Sequence, residues 1–198
     1  MLIFMFIAIV FVRTVVSEKE VFQEECDKIY RVLKAEFSDD FVRWDVELLQ
    51  DSTIRFRNPE VLFLVGSDEI RPNFQNILSN FLPRYMESIQ PFLEDIREIR
   101  IEGHTSSEYG DESPDRAYFL NMELSQSRTR AILRYALELP GVSSYAEWAR
   151  PLITANGLSS SKLIPLPGGQ EDRIRSRRVE FRLLTSSCQK AGMYENQN

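Results

Sequence analysis

Between Asp51 and Leu184 the hydrophobic period switches repeatedly between strand-like and helix-like, and that switching restricts the chain to a sheet covered by helices. Ile54 and Phe56 alternate with Arg55 and Arg57, the pattern of a half-buried strand, and the apolar run Val61–Val65 extends it or pairs with it. A helix fits residues 71–89, with Phe74, Ile77, Leu78, Phe81 and Tyr85 on one stripe; Pro83 is expected to kink it or end its first half. Ile99 and Ile101 alternate with Arg100 and Glu102, so a second strand runs into Gly103. A second helix fits residues 120–139 and stops at Pro140-Gly141. Leu152, Ile153 and Ala155 indicate a third strand ending at Asn156-Gly157, and Val179, Phe181 and Leu183 alternate with Glu180 and Arg182 in a fourth. The order β-α-β-α-β-β predicts an α/β domain, an α+β sandwich with a mixed sheet, over residues 51–185.

The ends differ from this middle. Met1 to Val12 carries no charge and is followed by Arg13, Thr14, Val15 and Val16. A complete span needs about 20 apolar residues. A secretory leader needs a basic start and a small-residue cleavage site, and neither is here. Residues 1–16 are expected to be part of a transmembrane helix beginning upstream, with Arg13 reaching the headgroups; a buried core helix or a poorly formed signal peptide is the alternative. Residues 17–50 are acidic and helix-prone, with Val21, Cys26, Ile29, Leu33 and Phe37 at roughly helical spacing. They suit a stalk or linker, a dimer contact, or a helix folded onto the domain. Residues 186–198 read as a flexible tail.

Composition removes several chemistries. The 24 basic and 30 acidic residues leave a net charge of −6, so no general nucleic-acid footprint exists. Two cysteines are too few for a disulfide scaffold, and one histidine, His104, is too few for a His-rich metal site, so no cofactor and no metal is expected. A Cys26–Cys188 disulfide is compatible with an extracytoplasmic domain, although spacing does not fix the pairing.

Three features carry candidate chemistry. Asn121, Leu124 and Arg128 lie on one face of the second helix, in a row that continues through Ile132 and Ala136. An arginine on that apolar row needs an anion, supplied either by an internal acid or by a ligand. Arg173, Arg175, Arg177, Arg178 and Arg182 precede or enter the last strand; they suit bidentate carboxylate recognition, or they pair with Glu171, Asp172 and Glu180. Gly103-His104-Thr105-Ser106 leads from a strand into a long acidic loop holding Glu108, Asp111, Glu112 and Asp115. No cysteine or second histidine accompanies His104 to build a nucleophile pair.

Taken together, Ile99-Arg-Ile-Glu-Gly-His-Thr105, Asn121-Met-Glu-Leu-Ser-Gln-Ser-Arg128 and Ser176-Arg-Arg-Val-Glu-Phe181 resemble the OmpA/MotB C-terminal domain family, in family order and over about residues 51–184. The resemblance implies non-covalent peptidoglycan binding through the diaminopimelate-bearing stem peptide. It assigns the ligand carboxylate to Arg128, hydrogen bonds to Thr105 and Asn121, apolar contact to Leu124, and added charge to Arg177 or Arg178. Where the family commonly has aspartate after His-Thr, this chain has Ser106, so the ammonium partner passes to Glu108 or Asp111, or is dispensed with.

A single apolar helix ahead of such a domain resembles MotB-like stator subunits, including the B subunits of Zorya anti-phage motors. That resemblance implies a homodimer beside a multi-span membrane partner, single-pass in the inner membrane with the domain in the periplasm. The expected function is thus a non-catalytic envelope anchor gripping peptidoglycan. A stator subunit of an ion-driven motor is the alternative, and a cell-wall hydrolase a remote one.

Overall fold

The computed structural model describes residues 2–57 and 62–195, with side chains left undescribed at 2–3, 5–17, 19 and 191–195. Its elements in chain order are α1 (Leu2–Trp44), β1 (Val46–Leu48), β2 (Ile54–Arg57), α2 (Pro72–Ile89), β3 (Ile96–His104), α3 (Pro114–Glu138), the short α4 (Pro140–Ser143) and α5 (Ala146–Ala149), β4 (Ile153–Gly157), the short α6 (Arg173–Ser176), β5 (Arg178–Thr185) and α7 (Ser186–Glu195). The sheet order is β1-β2-β5-β3-β4. The β3–β4 pair is parallel and the others antiparallel, so the mixed α+β architecture read from the periodicity holds.

The inward faces of β2, β3 and β5 place Ile54, Phe56, Ile99, Ile101, Val179 and Phe181 under α2, at 0–2% exposure. An aromatic cluster fills the middle: Phe56, Phe81 and Phe181 stack with centroids 5.2–5.7 Å apart. Such edge-to-face contacts add about 0.5–1.5 kcal/mol each beyond area burial. α2 runs unbroken through Pro83. One missing donor is tolerated there, and the ring lies against Gly141, where a Cβ would sit 2.7 Å from Pro83 Cγ.

Three boundaries depart from the sequence reading. The sheet has five strands rather than four, because Val46–Leu48 pairs with β2 in register Val46↔Phe56. A three-residue strand is too short for alternation to reveal it. Within the stretch assigned to a stalk, Cys26, Ile29, Leu33, Phe37 and Asp40 are buried at three- and four-residue steps. Phe37 meets Phe81 at 5.3 Å, and Arg84 of α2 donates to Glu36 and Asp40, so this half of α1 belongs to the domain. Residues 186–195, read as tail, form α7, which a Cys26–Cys188 disulfide ties to α1. The side chains on which the membrane reading of residues 1–16 rests lie, apart from Phe4, outside the described ones. Among the described residues no helix is long and apolar enough to cross a membrane.

Candidate ligand-binding site

α3 lies close on the sheet because two glycines let it. A Cβ at Gly157 would sit 2.2 Å from the Gln126 nitrogen, and one at Gly103 would sit 2.8 Å from Thr129 Cγ2. The two glycines are register partners in β3 and β4. This approach sets the face bearing Asn121, Leu124 and Arg128 beside the loop that leaves β3. Pro114 at the first helical position starts α3 earlier than its apolar row suggests, with Asp115 favourable to the helix dipole in the first turn.

The loop is fixed by hydrogen bonds at both ends. Asn121 Nδ2 donates to the carbonyls of Ser106 (3.1 Å) and Glu108 (3.0 Å). The Thr105 amide donates to the Ser159 carbonyl, and the Ser159 amide to Ser125 Oγ. The Ser107 amide donates to Glu171, and Arg173 pairs with Glu108 at 2.7 Å. Asn121, Thr105 and Ser106 are all at 3–5% exposure, so this polar corner is nearly closed to bulk water.

Beside that corner lies a cleft of about 320 Å³. Thr105, Ser106, Asn121, Leu124, Arg128 and Arg177 all line it, so six of the seven residues named from sequence meet at one place. Glu108, Tyr109 and Gly110 form the loop side, and Phe63, Val65 and Gly66 the opposite rim. Among the described residues the buried Thr105 Oγ1 has no hydrogen-bond partner.

Arg128 dominates the electrostatics. Its Nε donates to the Ser67 carbonyl at 2.8 Å, Nη2 reaches the Leu64 carbonyl at 3.3 Å, and Cζ lies 4.9 Å from the Phe63 ring centre. Burial lowers its pKa, opposed by the charges of Asp68 and Tyr109; a guanidinium stays protonated regardless. Among the described residues Arg128 makes no ion pair within 4.0 Å, and Asp68 acts on it only through its field. Phe63 and Tyr109 were not among the residues named from sequence. Phe63 sits in the apolar run Val61–Val65 read as strand, where it makes only an isolated bridge to Ile70, and Tyr109 is a lone aromatic in a loop; neither pattern carries a site signal.

Arg178 is the exception among the named residues. It follows Arg177 in an extended segment, so its side chain turns to the outer sheet face, buried and donating to Glu180 Oε1 at 2.6 Å and to the carbonyls of Lys162 and Ser176. Arg55 donates to the same oxygen at 2.8 Å. His104 points to this face too, its Nε2 3.5 Å from Glu102 and 3.7 Å from Glu180. One ligand atom from each of Glu102, His104 and Glu180 falls within 4.8 Å of the others, spacing that a metal could use. Arg55, Arg100, Arg178 and Arg182 already compensate both acids, which works against a further cation. Burial alone would raise the Glu180 and Glu102 carboxyls. His104 and the guanidiniums outweigh it and hold Glu180 well below the usual range and Glu102 below it.

Residues 62–179 match the OmpA family. The chain is 41% identical over 196 residues to the Zorya protein ZorB of Escherichia coli, covering 94% of this chain and 83% of that one. A putative MotB-like protein from Desulfovibrio vulgaris superposes with a TM-score of 0.60 at 24% identity, over 85% of this chain and 96% of its own. The cell wall anchor of the T6SS from Pseudomonas aeruginosa superposes at 0.54 with 20% identity, over 78% and 97%. These two likenesses establish the shared fold.

Proposed function

This chain belongs to the OmpA family, and on that premise we propose that it is a non-catalytic envelope anchor whose cleft takes the free carboxylate of a peptidoglycan stem peptide on Arg128. The carrying observation is a half-buried guanidinium, facing a cleft, with carbonyls and a ring around it and, among the described residues, no acid in contact. A carboxylate there gains charge-assisted hydrogen bonds in a partly desolvated site. Arg177 adds positive charge from the neighbouring wall, Leu124 gives apolar contact, and Thr105 Oγ1, without a partner among the described residues, becomes a hydrogen-bonding group for the ligand once its side chain turns to the cleft. Asn121 spends its amide hydrogens on the loop carbonyls and so shapes the site more than it grips the ligand.

Ser106 offers no charge for a ligand ammonium. Glu108 is the acid on the cleft wall and takes that part, steadied by Arg173. Among the described residues the cleft lining contains no imidazole or thiol, which favours binding over hydrolysis. The chain works as a homodimer, single-pass in the inner membrane, with its domain in the periplasm.

The 41% identity to a Zorya protein supports a second, compatible reading: a stator subunit of an anti-phage membrane motor, standing beside a multi-span partner. Co-purification of that partner with the full-length gene product supports it, and a lone subunit in detergent counts against it.

The test of the anchor is co-sedimentation of the full chain with diaminopimelate-type sacculi, beside Arg128→Ala. A fragment beginning at Asp51 is unsuitable, since it lacks Phe37 and β1. Loss of about 1.5–3 kcal/mol, or roughly tenfold to a hundredfold in retention, is expected for the variant. Equal retention by both would exclude Arg128 as the carboxylate site.

A further inference from the structure

A second cleft, of about 300 Å³, lies where the end of α1 meets α2, lined by Arg43, Trp44, Asn73, Asn76, Ile77 and Asn80. The three asparagines stand at i, i+3 and i+7 of α2, on one exposed face. Asparagine is among the poorer residues for a helix interior, so Asn76 and Asn80, in one row with Asn73 of the first turn, are unexplained by helix propensity. Between Asn73 and Asn80 this face carries no charge, Ser79 being the exposed residue between them, and the cleft lining contains no carboxylate, its charged member being the cation Arg43. Among the described residues the Asn73 and Asn76 amides have no hydrogen-bond partner. Asn80 Oδ1 accepts from Arg84 at 2.7 Å, which turns its amide hydrogens away from that contact.

The other wall is aromatic and rigid. The Trp44 indole is wedged edge-on against Phe81 (6.5 Å, 83°) and tilted against Phe37 (6.4 Å), while the residue stays partly exposed. Ile77 forms an apolar floor, and Arg43 leans on Asp40 with most of its side chain in solvent. A row of neutral amides beside a fixed aromatic ring matches one ligand chemistry well. Amides both donate to and accept from hydroxyl and acetamido groups, and an indole covers the apolar face of a pyranose ring.

We propose that this cleft binds an N-acetylated glycan chain. The inference rests on the anchor reading above only for the source of the glycan, the sugar strand of the same wall polymer whose peptide meets Arg128. Anchoring would then have a peptide contact and a sugar contact on different faces, and two weak sites on one polymer raise retention beyond either alone.

The experiment uses the full chain and a peptide-free probe, a β-1,4-linked N-acetylglucosamine oligosaccharide, followed by side-chain amide and indole NMR signals. The parent protein is expected to show saturable shifts at Trp44 and the three asparagines. The Asn73→Ala/Asn76→Ala double variant is expected to bind about tenfold more weakly with an unlowered Tm, because alanine favours the helix. Arg128→Ala should bind the oligosaccharide like the parent while losing sacculi, which separates this proposal from the anchor reading. No shifts in the parent up to about 10 mM probe, or equal binding by the double variant, would overturn it. So would a change in self-association of the double variant without a change in sugar binding, which would make the face a contact between copies.

Discussion

Arg177 and Arg178 are consecutive, yet one lines the candidate cleft and the other is buried on the outer sheet face, 2.6 Å from Glu180. Extended backbone sends successive side chains to opposite sides. Substituting them should therefore have opposite consequences. Arg177→Ala is expected to weaken sacculus retention, since it takes a positive charge from the cleft wall. Arg178→Ala removes one partner of a buried pair, a change that typically costs about 3–5 kcal/mol. A thermal melt and a pelleting assay on both variants check the split; it fails if Arg178→Ala melts with the parent.

Acid should strike the same outer face. Glu180 is buried against Arg178, Arg55 and His104, and Glu102 against His104, Arg182 and Arg100. Both carboxyls have folded values below their unfolded ones. A depressed carboxyl contributes stability that is present above the unfolded pKa, about 4.3, and is lost as pH falls through the folded value. Tm is thus expected to hold near neutrality and to drop steadily below about pH 4. Glu180→Gln should lower Tm at pH 7 and flatten the acid limb. An acid limb as steep as the parent's would show that the loss arises elsewhere.

Alternation along Ile99–Glu102 and Val179–Arg182 was enough to orient two central strands, because each has one dry face and one charged face. The i, i+3, i+7 row of Asn121, Leu124 and Arg128 was enough to set three cleft residues together. The surroundings of Arg128 were not legible, since the carbonyls of Leu64 and Ser67 and the Phe63 ring reach it only through the path of a loop. Nor could sequence show that Ile29, Leu33 and Phe37 face a core rather than solvent or a second copy. The same stripe serves all three, and only the complementary surface of α2 decides. Val46–Leu48 was invisible for want of length.

The seat of α3 predicts a sharp contrast between glycines. At Gly157 a methyl group would fall 2.2 Å from the Gln126 backbone nitrogen, where nothing flexible can yield. At Gly168 it would meet open space. Gly157→Ala is expected to cost about 1–3 kcal/mol and to lower sacculus retention, because the displaced helix carries Asn121 and Arg128. Gly168→Ala should change neither. Equal melts for the two would mean that α3 does not depend on that contact.

The disulfide gives the last expectation. Cys26 and Cys188 are separated by 162 residues, so the bond closes nearly the whole domain into one loop. Constraining an unfolded loop of that length stabilises the fold by roughly 2–5 kcal/mol. Cys26 is buried where α1 still touches α7, and Lys190 lies 4.5 Å from the Phe22 ring beside it. The bond thus staples α1 near the point where it leaves the domain, while Ile29, Leu33 and Phe37 stay held by the core itself. A thiol reductant, or Cys26→Ser with Cys188→Ser, should lower Tm and raise amide exchange over residues 18–28 and 186–190. Exchange over Ile29–Phe37 should stay slow, since opening there requires the core to open. If reduction left both Tm and exchange unchanged, the bond would contribute nothing to holding α1, and the packing of Phe37 against Phe81 would suffice.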